Sequence, residues 1–222
     1  MSEIQIYYIS NTDITGFEID ESIVRTGPKT YQEVKNEIKS NNKFCREEES
    51  ITMKHLLSAM DSSNILYALL NDTIVGVLVF MFNFTKKGER IIVFDGICSP
   101  QEFSGLGIGQ QLIETLIKIG KTNDLKYINL ECNGKVMNYY KDKFNFDIIE
   151  ETIVEDSDDS GDEGEGYYFM RLDLSRITGG KKRKCKTKRK RKCNTKRKRK
   201  CNTKRKRKCK TKRKRKCNTK RK

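Results

Sequence analysis

The feature that most constrains this chain is where its foldable part ends. Of the 42 residues from Lys181 to Lys222, 29 are Lys or Arg, and the rest are Cys, Thr and Asn. The unit Lys-Arg-Lys-Arg-Lys-Cys-Asn/Lys-Thr repeats there with no apolar position, and its cysteines (Cys185, Cys193, Cys201, Cys209, Cys217) fall every eight residues. Such a segment has nothing to bury against its ordering entropy, and its charges repel at helical spacing. The expectation is a disordered basic tail over 178–222, with any core built from residues 1–177. All 30 acids precede the tail, against 18 of the 47 basic residues. The chain is thus an acidic body with a cationic arm, and its net charge of +17 describes neither half.

The body alternates strand and helix patterns. Ile4–Ser10 reads as a strand, Tyr31–Lys39 and Ile51–Met60 as helices, the second with Ile51, Leu56, Leu57 and Met60 as its stripe. Three β-branched runs follow, Ile65–Leu70, Ile74–Phe84 and Ile91–Cys98, the first two joined by an Asn71-Asp72 turn. A helix to about Ile119 carries Leu112, Ile113, Leu116 and Ile117 on one face. Then come a strand at Tyr127–Glu131, a helix at Lys135–Phe144 and strands at Phe146–Val154 and Tyr167–Leu174. The expected fold is α/β (α+β) with about seven strands and about four helices, combining hairpins with one parallel crossover. Glu150–Glu165 holds nine acids and no base, and reads as a flexible acidic loop between the last two strands.

The sharpest chemical signal is Ser104-Gly105-Leu106-Gly107-Ile108-Gly109, set between a strand and an amphipathic helix. Glycines there let the backbone turn tightly, and the helix start adds its unsatisfied N–H groups and positive dipole end. Together they make a site for a phosphate or pyrophosphate. Position 110 is Gln, so the dinucleotide pattern GxGxxG fails, and the Gly-Lys-Ser/Thr of a P-loop is absent.

Ser104–Gly109 resembles motif A of the GNAT superfamily, Q/R-x-x-G-x-G/A, with Gly107 and Gly109 at the specified small positions. Asn133, Val136, Tyr139 and Tyr140 are similar, at matching offsets, to the family's N-x-x-A-x-x-F/Y-Y. Lys143-Phe144-Asn145-Phe146 resembles its closing L-G-F, with Asn replacing Gly at a position where left-handed geometry suits either. Ser104 stands where the family usually has Gln or Arg, and one extra residue separates Pro100 from the glycines.

This resemblance, covering residues 1–177, implies a mostly antiparallel GNAT-type sheet and transfer of an acetyl group from acetyl-CoA to a primary amine. It implies that the coenzyme is held by Ile97, Cys98, Ser104, Gly105, Leu106, Gly107, Ile108, Gly109, Gln110 and Asn133. Tyr140 is then the candidate general acid, Tyr139 a core aromatic, and Glu131 or Asp95 the candidate base. The acceptor is an amine-bearing small molecule or peptide. The acidic loop either attracts a cationic acceptor or is simply a solvated insertion. The alternative is an inactive GNAT-like module whose arm binds nucleic acid or another polyanion.

The chain has a single histidine, His55, and no close cysteine pair, so no metal site is expected. No run of about 18 apolar residues suggests a membrane span. The N-terminal stretch does not read as a secretion signal, which points to an intracellular address, cytoplasmic or nuclear. Cys45, Cys98 and Cys132 are accordingly expected as reduced thiols, the last two buried. An acyl-cysteine route is set aside because His55 lies far from Cys98 and Cys132 in sequence.

Overall fold

The structure, a computed structural model, describes residues 3–10, 17, 19–45, 51–153 and 166–177. The chain divides into a unit of residues 1–177 and one of residues 178–222. The second unit lies outside the described residues, as do 154–165 of the expected acidic loop.

Among the described residues, eight strands form one sheet. They are β1 (Gln5–Ile9), β2 (Arg25–Thr26), β3 (Asn64–Leu70), β4 (Thr73–Phe84), β5 (Arg90–Cys98), β6 (Tyr127–Asn133), β7 (Asp147–Ile153) and β8 (Gly166–Asp173). Their spatial order is β2-β1-β3-β4-β5-β6-β8-β7, antiparallel except for the β1/β2 and β5/β6 pairs. The expected seven strands become eight because β2 is two exposed residues with no alternating pattern to read. Glu150 and Glu151, which the sequence reading put both in the Phe146–Val154 strand and at the start of the acidic loop, are strand residues of β7.

Among the described residues, four α-helices cover the faces: α1 (Tyr31–Ser40), α2 (Met53–Met60), α3 (Ile108–Thr122) and α4 (Gly134–Phe144). Thr30 opens α1 with a capping box, its side chain accepting from the Glu33 N–H while Glu33 accepts from the Thr30 N–H at 2.7 Å. Thr52 caps α2 by accepting from the His55 N–H at 3.2 Å. That start excludes Ile51 from the helix. Asn145 closes α4 in left-handed geometry (φ 63°), and the Phe146 N–H reaches back to the Tyr140 carbonyl. The β3–β4 hairpin turns on Asn71 (φ 51°) and Asp72 (φ 64°), the positive φ pair that a two-residue turn needs.

The sheet separates two apolar layers. One packs Leu78, Phe80, Ile92, Phe94, Leu130 and Met170 against α3 and α4; the other packs Ile65, Tyr67, Val77 and Val79 against α1 and α2. Cys98 lies in the second layer, and it is not the free thiol expected from sequence. Its sulfur is bonded to that of Cys45, with the Cα atoms 4.9 Å apart across a separation of 53 residues. Three-dimensional proximity, which the spacing of two single cysteines cannot disclose, overturns that expectation.

Gly76 of β4 seats the first turn of α3. A Cβ at this position would lie 2.4 Å from Cγ2 of Ile108 and 3.3 Å from Cδ1 of Leu112. Gly76→Ala should therefore cost about 1–3 kcal/mol through overpacking. Thermal unfolding should show a melting point lower by several degrees; an unchanged value would mean that α3 shifts without cost.

Candidate active site

The site grows from a break in the sheet. The parallel ladder between β5 and β6 runs from Ile91↔Tyr127 to Phe94↔Leu130 and then stops, although β5 continues to Cys98 and β6 to Asn133. On its other side β5 remains paired with β4, as Gly96↔Val79, Ile97↔Leu78 and Cys98↔Val77. The register skips Asp95, because Phe94 faces Phe80 and Gly96 faces Val79. Asp95 is thus the extra residue of a β-bulge. The bulge also reverses the inward face. Phe94 belongs to the α3/α4 layer, whereas Cys98, at an even spacing from it, belongs to the α1/α2 layer.

Beyond β5 the chain enters the glycine segment. Gly105 (φ 83°) and Gly107 (φ 73°) both adopt left-handed backbone, and a Cβ on either would meet nothing within 4 Å. Conformation, not crowding, therefore requires glycine here. Gly107 is the N-cap of α3, and its carbonyl accepts from the Gln111 N–H at 3.0 Å. The N–H groups of Ile108, Gly109 and Gln110 precede the first intrahelical donor, as in any helix start.

A cleft of ≈ 790 Å³ opens at this point, walled by β5 (Ile97, Cys98), by Ser104, Gly105, Gly107, Ile108, Gly109 and Gln110, and by α4. Two residues from the sequence-based set stand apart. Leu106 is 48% exposed and is not among the lining residues, because its side chain leaves the turn outward. Asn133 caps α4 by position, but its side chain makes no cap hydrogen bond; it is buried, with no partner shown for its Oδ1, and it lines neither cavity. From α4 the cleft gains Lys135, Lys143 and Tyr139. The lysines were not singled out from sequence, although their four-to-eight-residue spacings from Tyr139 and within α4 put them on one side of a helix. Tyr139 is 43% exposed on the cleft wall, so it is not the core aromatic expected. Burial of its ring still pushes its phenol above the ordinary value, with the Glu114 charge adding to that.

Behind the cleft lies a second cavity of ≈ 250 Å³, lined by Asp95, Glu131, Cys132, His55, Thr52 and Tyr167 among others. Tyr140 lines both. Its ring is 5% exposed and is held edge-on by Phe94 (6.0 Å) and Phe146 (5.9 Å). The two candidate carboxylates differ. Glu131 is exposed, whereas Asp95 is half-buried and accepts from the Ser63 hydroxyl at 3.0 Å. Burial raises the Asp95 carboxyl above the usual carboxylate range, and the Ser63 hydrogen bond and the His55 charge pull back only partly.

His55 was dismissed from sequence because it lies far from the other site residues; α2 carries it into the same cavity as Cys132. Separation along the chain was the wrong reason to set aside an acyl-cysteine route. The environment of Cys132 is a better one: desolvation, with Glu131 adding to it, raises its thiol to about 11, and its Sγ donates to Met170 Sδ at 3.6 Å. A thiol of that kind is protonated near neutrality and is a poor nucleophile.

In an α/β fold, a helix opened by glycines thus stands at the edge of a parted parallel strand pair, beside a carboxylate-lined cavity. The family model described as acetyltransferase (GNAT) family matches residues 31–146, more than half of the chain. The chain belongs to that family, and it is an acetyltransferase.

The fold is similar to that of the ribosomal-protein-S18-alanine N-acetyltransferase from Escherichia coli, at 12% identity and a TM-score of 0.53 over 81% of this chain and 98% of that one. It is similar also to smu.2055 from Streptococcus mutans UA159, at 19% identity and 0.52 over 67% and 98%. A putative acetyltransferase of the GNAT family from Desulfovibrio desulfuricans gives 12% and 0.52 over 78% and 99%. At these identities the likeness is one of fold. No curated protein matches the chain in sequence.

The raised Asp95 carboxyl carries a sign for stability. A carboxyl whose folded value lies above its unfolded one favours folding below the unfolded value, and that contribution is lost as pH rises through the folded value. Asp95→Asn keeps an acceptor for Ser63 and removes the charge. The variant should melt above the parent at pH 7 and level with it below about pH 4. The opposite order would mean that partners hold Asp95 ionised.

Proposed function

We propose that the protein transfers the acetyl group of acetyl-CoA directly to a primary amine, with the coenzyme in the larger cleft and the amine in the smaller cavity. The observation that carries this reading is the position of Tyr140 on the wall common to both. In the proposed complex the N–H groups of residues 105–110 hold the diphosphate, and Lys135 and Lys143 add positive charge around an anionic carrier. The β5 backbone at Ile97 and Cys98, beyond the end of the β5/β6 ladder, aligns the pantetheine. An N–H there polarises the thioester carbonyl as charge develops on its oxygen.

Asp95 is the proposed base. The amine nitrogen attacks the carbonyl carbon and gives up a proton to Asp95, directly or through one water. The C–S bond breaks, and the departing thiolate takes the Tyr140 phenolic proton. Asp95 suits the role better than Glu131 because a desolvated carboxylate is the stronger proton acceptor. Pre-alignment of amine and thioester supplies the larger part of the acceleration. Asp95 and Glu131 set two carboxylates in the cavity against one histidine, His55, and that balance favours a cationic acceptor.

Residues 1–177 are the proposed catalytic body and 178–222 a separate arm. Its 29 basic residues suit sequence-independent binding to nucleic acid or another polyanion, with affinity falling steeply with salt.

Titration calorimetry of the full-length chain with acetyl-CoA tests the first half of the mechanism. Gly107→Val carries the same arm but strains the left-handed N-cap, so the affinity it loses belongs to the cleft and not to the arm. We expect binding to weaken at least about tenfold; equal affinity would refute the site. With an amine that is acetylated, Tyr140→Phe should lower kcat by about 10²-fold or more with little change in KM. Unaltered kcat would remove Tyr140 as the acid.

A further inference from the structure

Asp95 is bonded to a residue that lies 32 positions away and lines neither of the two cavities. Ser63 is fully buried, and its hydroxyl donates to Oδ2 of Asp95 at 3.0 Å. An ionised carboxylate only accepts, which fixes the direction of the bond. A hydroxyl buried without a partner is unfavourable, so this bond is what a serine at that depth requires. Ser63 is itself held from both sides. Before it, α2 is closed by the Asp61 N–H on the Ser58 carbonyl and the Ser62 N–H on the Ala59 carbonyl, both at 3.2 Å. The Asp61 carboxylate accepts from Tyr31 and Lys35 of α1, which fastens the turn to a second helix. After it, Asn64 opens β3 opposite Phe80, and its Oδ1 accepts from the Tyr8 hydroxyl at 2.8 Å. The hydroxyl therefore reaches β5 from a segment anchored at each end.

We propose that Ser63 is a positioning residue for the base: its hydroxyl fixes Oδ2 of Asp95 and stabilises the carboxylate form, leaving Oδ1 for the amine proton. The inference rests on Asp95 being the base. Two demands on such a carboxylate oppose each other. Burial makes it the stronger proton acceptor but also disfavours its charge. A neutral donor offsets part of the second effect without adding a positive charge that would repel a cationic amine. On attack the amine proton passes to Oδ1. Ser63 keeps its own proton and goes on donating to Oδ2, now the carbonyl oxygen of a neutral acid. The titratable groups that share the cavity with Asp95 are His55 of α2, Glu131 and Cys132 of β6, Tyr140 of α4 and Tyr167 of β8. Behind Ser63 stand Tyr31, Lys35 and Asp61. Ser63→Ala leaves all of these residues unchanged, so a change in the Asp95 titration reports the lost hydroxyl.

The test uses the full-length chain grown with aspartate isotope-labelled in its side-chain carboxyl, followed by NMR across pH. Asp95→Asn identifies the Asp95 signal by its loss. Ser63→Ala should raise the midpoint of that signal by about one pH unit. Ser63→Thr, which keeps the hydroxyl, should stay within about 0.3 of a unit of the parent. The second readout is kcat for n-butylamine at saturating acetyl-CoA over the same range. The base works ionised, so kcat falls as pH drops through its midpoint, and a raised midpoint brings that fall at higher pH. In Ser63→Ala the acidic limb should move up with the midpoint, costing up to about tenfold on the limb and less than about threefold on the plateau. A merely structural serine would lower kcat at every pH and leave the limb in place. An unmoved midpoint in Ser63→Ala overturns the proposal, as does a shift in Ser63→Thr as large as that in Ser63→Ala. A moved midpoint with an unmoved limb means that Asp95 is not the base, and the role of Ser63 fails with that reading, whereas the hydrogen bond is upheld. If Ser63→Ala does not fold, Ser63→Gly removes the same donor and is read in the same way.

Discussion

Everything at this site depends on two parallel strands that stop pairing. A ladder that ran to the ends of β5 and β6 would consume the polar edge of Asp95–Cys98 and close the space where Tyr140 sits. Instead, pairing ends at Phe94/Leu130. From there one strand stays bound to β4 while the other leads into α4. The opening is stabilised from within by aromatic packing, with the Tyr140 ring edge-on to Phe94 at the last paired position and to Phe146 beyond α4. The same packing that props the strands apart fixes the phenol between the two cavities.

The bulge at Asp95 is the local counterpart of that opening. Without it, strict alternation would send Gly96 and Cys98 to the same layer as Phe94. With it, Ile97 turns to the α3 side, where its Cδ1 lies 3.5 Å from the Cβ position of Gly109, and Cys98 turns to the α1/α2 side to meet Cys45. One inserted residue thus places a carboxyl in a desolvated cavity, a strand edge beside the glycine turn and a sulfur within bonding reach of a distant loop. Burial of Asp95 is unfavourable to its charged form, and the surrounding sheet, buried on both faces, supplies the rigidity that keeps it there.

The elements themselves were largely readable. Ile74–Phe84, Ile91–Cys98 and the stripe on α3 carry long, regular apolar patterns; the two strands occur within a residue of the expected limits, and the helix runs three residues past Ile119. The left-handed turn at Gly105 and Gly107 was legible too, because few other residues accept that backbone. β2 was not, having neither length nor alternation. Tyr139 was misread because a single helix gives its neighbours but not the cleft beside it. Lys135 and Lys143 look from sequence like ordinary surface charges. His55 was discounted on distance along the chain, and Cys45 and Cys98 were expected as free thiols from the inferred reducing address.

The sequence alone determined which segments of the body are strands or helices and where a glycine turn opens a helix. These follow from local periodicity, charge and the backbone freedom of particular residues. Tertiary structure decided which carboxylate is desolvated, that one tyrosine borders two cavities, that a histidine faces a carboxyl 40 residues away and that two cysteines are joined. Each of those depends on how far two strands stay paired and on which face a side chain leaves after a bulge. Pairing and facing are properties of several segments at once, so no single stretch of residues encodes them.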